Sequence, residues 1–307
     1  MNWKHSLVVG CLVAALPLVA QEPPATSVGR QHWVTRDGQR LSLWERTLEG
    51  TLEDVDTTGR VVVFLHGATW SGRPNFDLQF EDYSAMEEFA ERGWDTFCLD
   101  VQGYGASADP RAPSACRARD AALDLHAAVE YLVEQRGVAS VHLIGWSWGS
   151  QVAGLYAEQH PERVARLVLY GSRWQPLEFD FEAPTERFRD NGREGALTDF
   201  VEGCFDPDMA ESYADAAIAA DPASPNGALM DYFGGLPVMD PEAIEPPTMV
   251  VLGEHEARTK MEDQLAFFSA LPNFDKRFVV LPGGGHAIHL ERPRAQWWAA
   301  VGDFLER

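Results

Sequence analysis

The run Val141-His142-Leu143-Ile144-Gly145-Trp146-Ser147-Trp148-Gly149-Ser150 reads as a buried strand that breaks, through a G-x-S-x-G pentapeptide, into a helix continuing to about His160. Few features constrain a chain more tightly. A serine on a sharp strand-to-helix turn has its hydroxyl held out of the sheet, and glycines two residues to either side leave room for the strained backbone and for close packing. The pentapeptide alone is a common match, and its serine could sit in an ordinary polar turn, so the flanking strand and helix carry the reading. Ser147 is the candidate nucleophile.

A hydroxyl is a poor nucleophile near neutral pH. It needs a histidine to take its proton, and a carboxylate to hold that histidine in the right tautomer. Of the nine histidines, His286 stands apart, because it follows a terminal strand, Arg277 to Leu281, and a glycine-rich turn, Pro282-Gly283-Gly284-Gly285. Such a turn can bring a backbone loop close to the strand ends, and His286 is the expected base. His289 is the fallback, better suited to capping or packing against Glu291-Arg292-Pro293. The carboxylate should come from a loop between these two points. Thr248 to Gly253 reads as a short buried strand, and Glu254, His255 and Glu256 follow it directly.

With these pieces the chain resembles the α/β-hydrolase superfamily, in which the order is nucleophile, acid, histidine and the acid commonly stands third after the glycine closing its strand. That position is Glu256, preferred here over Glu254. The family usually carries Asp there, and the extra methylene of glutamate moves the carboxylate by about 1.5 Å, which the loop must absorb. His255 is expected to be a loop residue. A tetrahedral intermediate also needs two aimed donors, and the first is ordinarily the NH after the nucleophile, here Trp148. For the second, Val61 to Leu65 runs into His66-Gly67-Ala68-Thr69-Trp70, which is similar to the family's His-Gly loop. The resemblance assigns that donor to Ala68 and a loop-fixing role to His66. Asp100-Val101-Gln102-Gly103-Tyr104-Gly105-Ala106-Ser107 matches a further family turn, whose role there is structural.

The order of elements supports the same fold class. Gln31 to Leu48, split by Asp37-Gly38, reads as an antiparallel hairpin, and strands follow near 61, 95, 141, 165, 249 and 277. Leu125, Ala128, Val129, Leu132 and Val133 form one apolar helical face between the second and third of these. A mostly parallel sheet with helices on both faces follows, an α/β-hydrolase fold. Between Arg173 and Pro246 the alternation stops, where this superfamily inserts a cap. The expected division is a signal peptide over 1–20, a linker over 21–29, core over 30–172, cap over 173–246 and core again over 247–307. The cap carries seventeen acidic residues against four basic ones, and its aromatic residues are expected to divide between packing and lining a pocket.

Net charge is −22, which repels nucleic acid and anionic lipid and favours solubility without identifying a substrate. Lys4 and His5 precede an apolar stretch, Leu7 to Ala20, so the N-terminus reads as a leader cleaved after Ala20. Export to the periplasm or the medium, with no membrane span after cleavage, is the expectation. It permits a disulfide between Cys116 and Cys204, with three unpaired thiols as the alternative, while Cys98 reads as a buried free thiol in a strand. Asp206, Asp208 and Glu211 lack the spacing of a calcium loop, so no metal and no cofactor are expected.

The resulting expectation is a secreted serine hydrolase acting on a small-molecule carboxylic ester, with Trp70, Trp146 and Trp174 touching substrate. Ser147-Trp148-Gly149-Ser150 is also similar to the elbow of proline iminopeptidases, which makes an aminopeptidase the alternative, its acidic cap holding a substrate ammonium. Against that, Gly67-Ala68-Thr69-Trp70 departs from the Gly-Gly-Pro-Gly loop of those enzymes. Serine at 147 argues against relatives that use an aspartate nucleophile. The sequence leaves open a cofactor-free carbon–carbon bond hydrolase or perhydrolase, and a non-catalytic binding protein on the same fold.

Overall fold

The alternation of buried runs and amphipathic helices closes into one eight-stranded sheet in the computed structural model, which describes residues 27–49, 59–109, 114–176 and 182–307. The expected signal peptide and residues 21–26 of the expected linker lie outside the described residues, as do residues 177–181 of the expected cap.

Strands β1 (Ser27–Arg36) and β2 (Gln39–Leu48) form the expected hairpin. Asp37 and Gly38 both take positive φ, 50° and 79°, as a two-residue turn matching strand twist requires. β1 begins at Ser27, so residues 27–29 belong to the sheet and not to a linker. Gly29 is covered by the Trp44 indole, whose ring would lie 2.3 Å from any Cβ there. The remaining strands are β3 (Val61–Leu65), β4 (Asp95–Asp100), β5 (Val141–Trp146), β6 (Val164–Tyr170), a short pair β7 (Phe188–Asp190) and β8 (Ala223–Pro225), then β9 (Thr248–Gly253) and β10 (Lys276–Leu281). Sheet order is β1-β2-β4-β3-β5-β6-β9-β10, parallel throughout from β4 to β10 and antiparallel at the hairpin edge.

Nine helices accompany the described strands: α1 (Gly72–Phe76), α2 (Ala85–Glu91), α3 (Ala118–Arg136), α4 (Trp148–Gln159), α5 (Arg193–Leu197), α6 (Pro207–Ala220), α7 (Gly227–Gly234), α8 (Met261–Ala270) and α9 (Arg294–Leu305). Successive strand residues point to opposite faces. Val61, Val63 and Leu65 accordingly meet α3 and α4 residues such as Leu125 and Val152, whereas Val62 and Phe64 meet Phe89 of α2 and Trp297 of α9. Because both faces are covered, the central strands β3 and β5 are buried along their whole length.

Between β6 and β9, where an insertion is expected, lie helices α5 to α7 and the antiparallel pair β7–β8, whose strands are separated in sequence by α5 and α6. Two buried carboxylates fasten it to the core. Asp221, at the end of α6, accepts the Ser71 and Gly105 amides, each at 2.7 Å. Asp231 of α7 accepts the Ala118 amide at 2.8 Å and Arg117 Nε at 2.7 Å, so the insertion caps α3. Of the two alternatives for the cysteines, the unpaired one is seen: Cys98, Cys116 and Cys204 are all buried free thiols. Cys116 lies in the core on the α3 face, where it behaves as a small apolar side chain and has no need of a partner.

Candidate active site

In a parallel sheet the loops after the carboxyl ends of the strands share one edge, and a ligand site forms there. Loops after β3, β5, β6, β9 and β10 converge on a pocket of about 280 Å³, with Leu229, Tyr232 and Phe233 of the insertion lining it from above. Ser147 and His286 both line it.

Ser147 has φ 54° and ψ −120°, a conformation L-residues avoid, held here at the N-terminus of α4. Gly145 and Gly149 make the turn possible. A Cβ on Gly145 would meet the Gly149 carbonyl oxygen at 2.5 Å, and one on Gly149 would meet the Leu65 carbonyl oxygen at 2.3 Å. The Ser147 amide donates to Tyr170 O at 2.9 Å, and Ser150 Oγ to Gly145 O at 2.7 Å, which ties the elbow to β5 and β6.

The expected histidine and acid meet. Glu256 Oε2 lies 2.8 Å from His286 Nδ1, and both side chains are buried. Burial alone would push the Glu256 carboxyl up, but His286 and the Arg258 amide, 2.6 Å from Oε1, together hold it below its ordinary range. The extra methylene of glutamate is absorbed because the β9 and β10 loops are sewn together. His255 N donates to Gly284 O at 2.8 Å, Glu254 N to Leu281 O at 2.9 Å, and Gly253 leaves no room for a Cβ against Gly284 O. Glu254 turns away to accept the Gly283 amide at 2.9 Å. His255 is exposed, whereas His289 is wholly buried among Phe76, Trp146 and Tyr170, where burial drops its pKa to about 3. Neither faces the pocket.

His66 fixes its loop as expected. Nδ1 bonds Gly67 O at 2.8 Å, the ring packs on Tyr104, and burial lowers its pKa to about 4, so it stays neutral. Ala68 and Gly67 line the pocket, and the loop is clamped from three sides. Tyr104 and Arg189 both donate to Ala68 O at 2.9 Å, Arg189 also reaches Thr69 Oγ1 at 2.9 Å, and Ser224 Oγ donates to Thr69 O at 2.5 Å. The Trp148 indole turns into the core against His66 and Tyr104, leaving its backbone NH in the first turn of α4 as the candidate donor. The Asp100 turn is structural: its carboxylate accepts the Gly72 and Ala106 amides at 2.9 and 3.1 Å.

Of the three tryptophans expected at the substrate, Trp70 and Trp146 line the pocket. Trp146 has a second task, donating from its indole to His286 O at 2.9 Å. Trp174 departs from expectation. Its NH donates to Asp263 O at 2.8 Å and its ring packs on Phe267, so α8 draws it away from the catalytic pocket. The site also contains residues that sequence reasoning did not single out. Gly171, with φ 57°, sits so close to His286 that a Cβ would lie 2.9 Å from Cε1; a glycine directly after β6 is the signal that could have found it. Tyr232 lines the pocket together with Ser147, and burial raises the pKa of its hydroxyl, which stays protonated. Arg173, Arg258 and Asp199 line the same pocket. No local pattern distinguishes Tyr232 from the other aromatic residues of the insertion.

Residues 60–241, more than half of the chain, match the family model of the alpha/beta hydrolase fold. The chain belongs to that family. It is 32% identical over 144 residues to 2-hydroxy-6-oxononadienedioate/2-hydroxy-6-oxononatrienedioate hydrolase of Klebsiella pneumoniae subsp. pneumoniae, covering 46% of each chain. It is also 32% identical over 136 residues to proline iminopeptidase of Xylella fastidiosa, covering 43% of this chain and 40% of that one. These matches span less than half the length of either relative. A thermophilic esterase from Thermogutta terrifontis shares the fold, with a TM-score of 0.61, 19% identity, and coverage of 90% of this chain and 98% of that one.

Proposed function

We propose that this hydrolase cleaves small-molecule carboxylic esters through an acyl-enzyme intermediate on Ser147. The observation that carries the proposal is the strained Ser147 elbow opening on the same pocket as a buried His286–Glu256 pair at 2.8 Å. In this reading His286 takes the Ser147 proton and Glu256 stabilises the imidazolium that forms. The serine oxygen attacks the acyl carbon, and the Ala68 and Trp148 amides receive the oxyanion. His286 returns the proton to the leaving alcohol, then activates water to release the acid. Tyr232, lining the same pocket as Ser147, offers a further donor there.

An aminopeptidase would need an acidic group free to hold the substrate ammonium. Among the described residues, the carboxylate lining this pocket is Asp199, which is paired with Arg258 at 3.0 Å, and Glu256 beyond it is engaged by His286. The pocket wall therefore favours the ester reading even though curated relatives include proline iminopeptidases. The test is a panel of p-nitrophenyl esters of increasing acyl length beside prolyl and alanyl naphthylamides. Turnover of the esters with little of the naphthylamides is expected; the reverse order would overturn the proposal.

A further inference from the structure

Although the chain carries a net charge of −22, two guanidinium groups line its catalytic pocket. Their partners differ. Arg258 pairs with Asp199 Oδ1 at 3.0 Å and donates to Thr198 O at 2.7 Å. Arg173, two residues beyond Gly171, donates from Nε at 3.0 Å and from Nη2 to the backbone carbonyl of Arg258. A carbonyl oxygen accepts those protons without neutralising the charge, and among the described residues no carboxylate forms an ion pair with Arg173. Burial lowers its pKa, yet an arginine remains charged at any pH the protein meets.

A partly buried cation that feels the Glu256 carboxylate only at a distance and, among the described residues, is bonded by no carboxylate gains when an anion enters the pocket. The position of Arg173 gives that anion a place. Its guanidinium lies 5.1 Å from the centre of the Tyr232 ring, and Arg173, Tyr232 and Ser147 line one pocket, which places the charge on the walls that also hold the nucleophile. The guanidinium fork suits a planar carboxylate, and Nη1 makes no hydrogen bond to a described residue.

Building on the ester-hydrolase reading, we propose that Arg173 binds a carboxylate carried by the substrate, so that the preferred esters bear a free acid group near the scissile carbonyl. Arg258, itself held by Asp199, fixes Arg173 through its backbone carbonyl and supplies a second positive charge at the pocket edge. Asp199 on that edge disfavours a doubly charged anion, so a single carboxylate fits best.

The test compares esters of equal size that end in a carboxylate or in the neutral carboxamide, with that group on the acyl side in one series and on the alcohol side in another. In at least one series kcat/KM should favour the acid by about 10- to 100-fold, as expected for a charge-assisted hydrogen bond. Arg173→Gln should collapse that ratio, and Arg173→Lys should retain part of it. A merely structural role would lower both substrates together and leave the ratio intact, which would overturn the proposal, as would a wild type without preference in either series. Failure of the ester reading itself looks different: no ester is turned over. The anion site is then read from the rate at which a fluorophosphonate labels Ser147. Protection by butyrate but not by butyramide, lost in Arg173→Gln, supports it; equal protection by the two, or none by either, contradicts it.

Discussion

At the scale of single residues, the choice between Glu254 and Glu256 shows where a chain's own spacing stops being informative. Both lie in the loop after β9, and only the path of that loop decides which carboxylate meets His286. Glu256 does, at 2.8 Å, whereas Glu254 accepts the Gly283 amide. Glu256→Gln should therefore reduce kcat on the order of 10⁴-fold, because an amide stabilises the wrong imidazole tautomer. Glu254→Gln should cost less than about tenfold, the scale of one weakened neutral hydrogen bond. Steady-state kinetics on both variants checks this, and the opposite order would move the acid to Glu254. Ser147 was legible because a buried strand run broke at a glycine. Tyr232 and Arg173 were not, because their importance comes from what they face.

At the scale of elements, the sheet was legible from alternating burial and helical periodicity, since those patterns are local. What escaped was long-range. Residues 27–29 read as linker, yet β1 begins at Ser27 and the Trp44 indole covers Gly29. The clamp on the Ala68 loop comes from Arg189, 121 residues away, and the cap of α3 from Asp231, 113 residues from Ala118. Separation of that size leaves no periodic trace. Arg189→Met removes two bonds that orient the Ala68 loop while leaving Tyr104 in place. Its kcat should fall about 10- to 100-fold, less than the loss of an oxyanion donor outright, with KM little changed. A rise in KM at unchanged kcat would instead make Arg189 a substrate-binding residue.

At the scale of the whole molecule, acidity inside the fold matters as much as acidity outside it. Burial pushes the Asp100 carboxyl up to about 7, although the Gly72 and Ala106 amides favour its charged form. Between pH 4 and 7 the folded state thus keeps a proton that the unfolded chain has lost, so this group's contribution to stability falls as pH rises through that window. Asp100→Asn cannot titrate. Whatever Tm it loses at pH 5 should shrink by pH 8, and a loss that grows with pH would contradict this sign. The N-terminal reading makes its own prediction at this scale. Mass spectrometry of the protein recovered from outside the cytoplasm should find Gln21 first, and a retained Met1 would show that the leader is not removed.

The account's central claim is that Ser147 is activated by the His286–Glu256 pair, and it can be met without knowing a substrate. The folded protein is treated with a fluorophosphonate, and the adduct is mapped by peptide mass spectrometry. A single adduct on Ser147, formed in the wild type and slowed by roughly 10⁴-fold in His286→Ala, is the predicted result. A folded wild type whose Ser147 stays unmodified, or labelling that proceeds equally fast without His286, would contradict it.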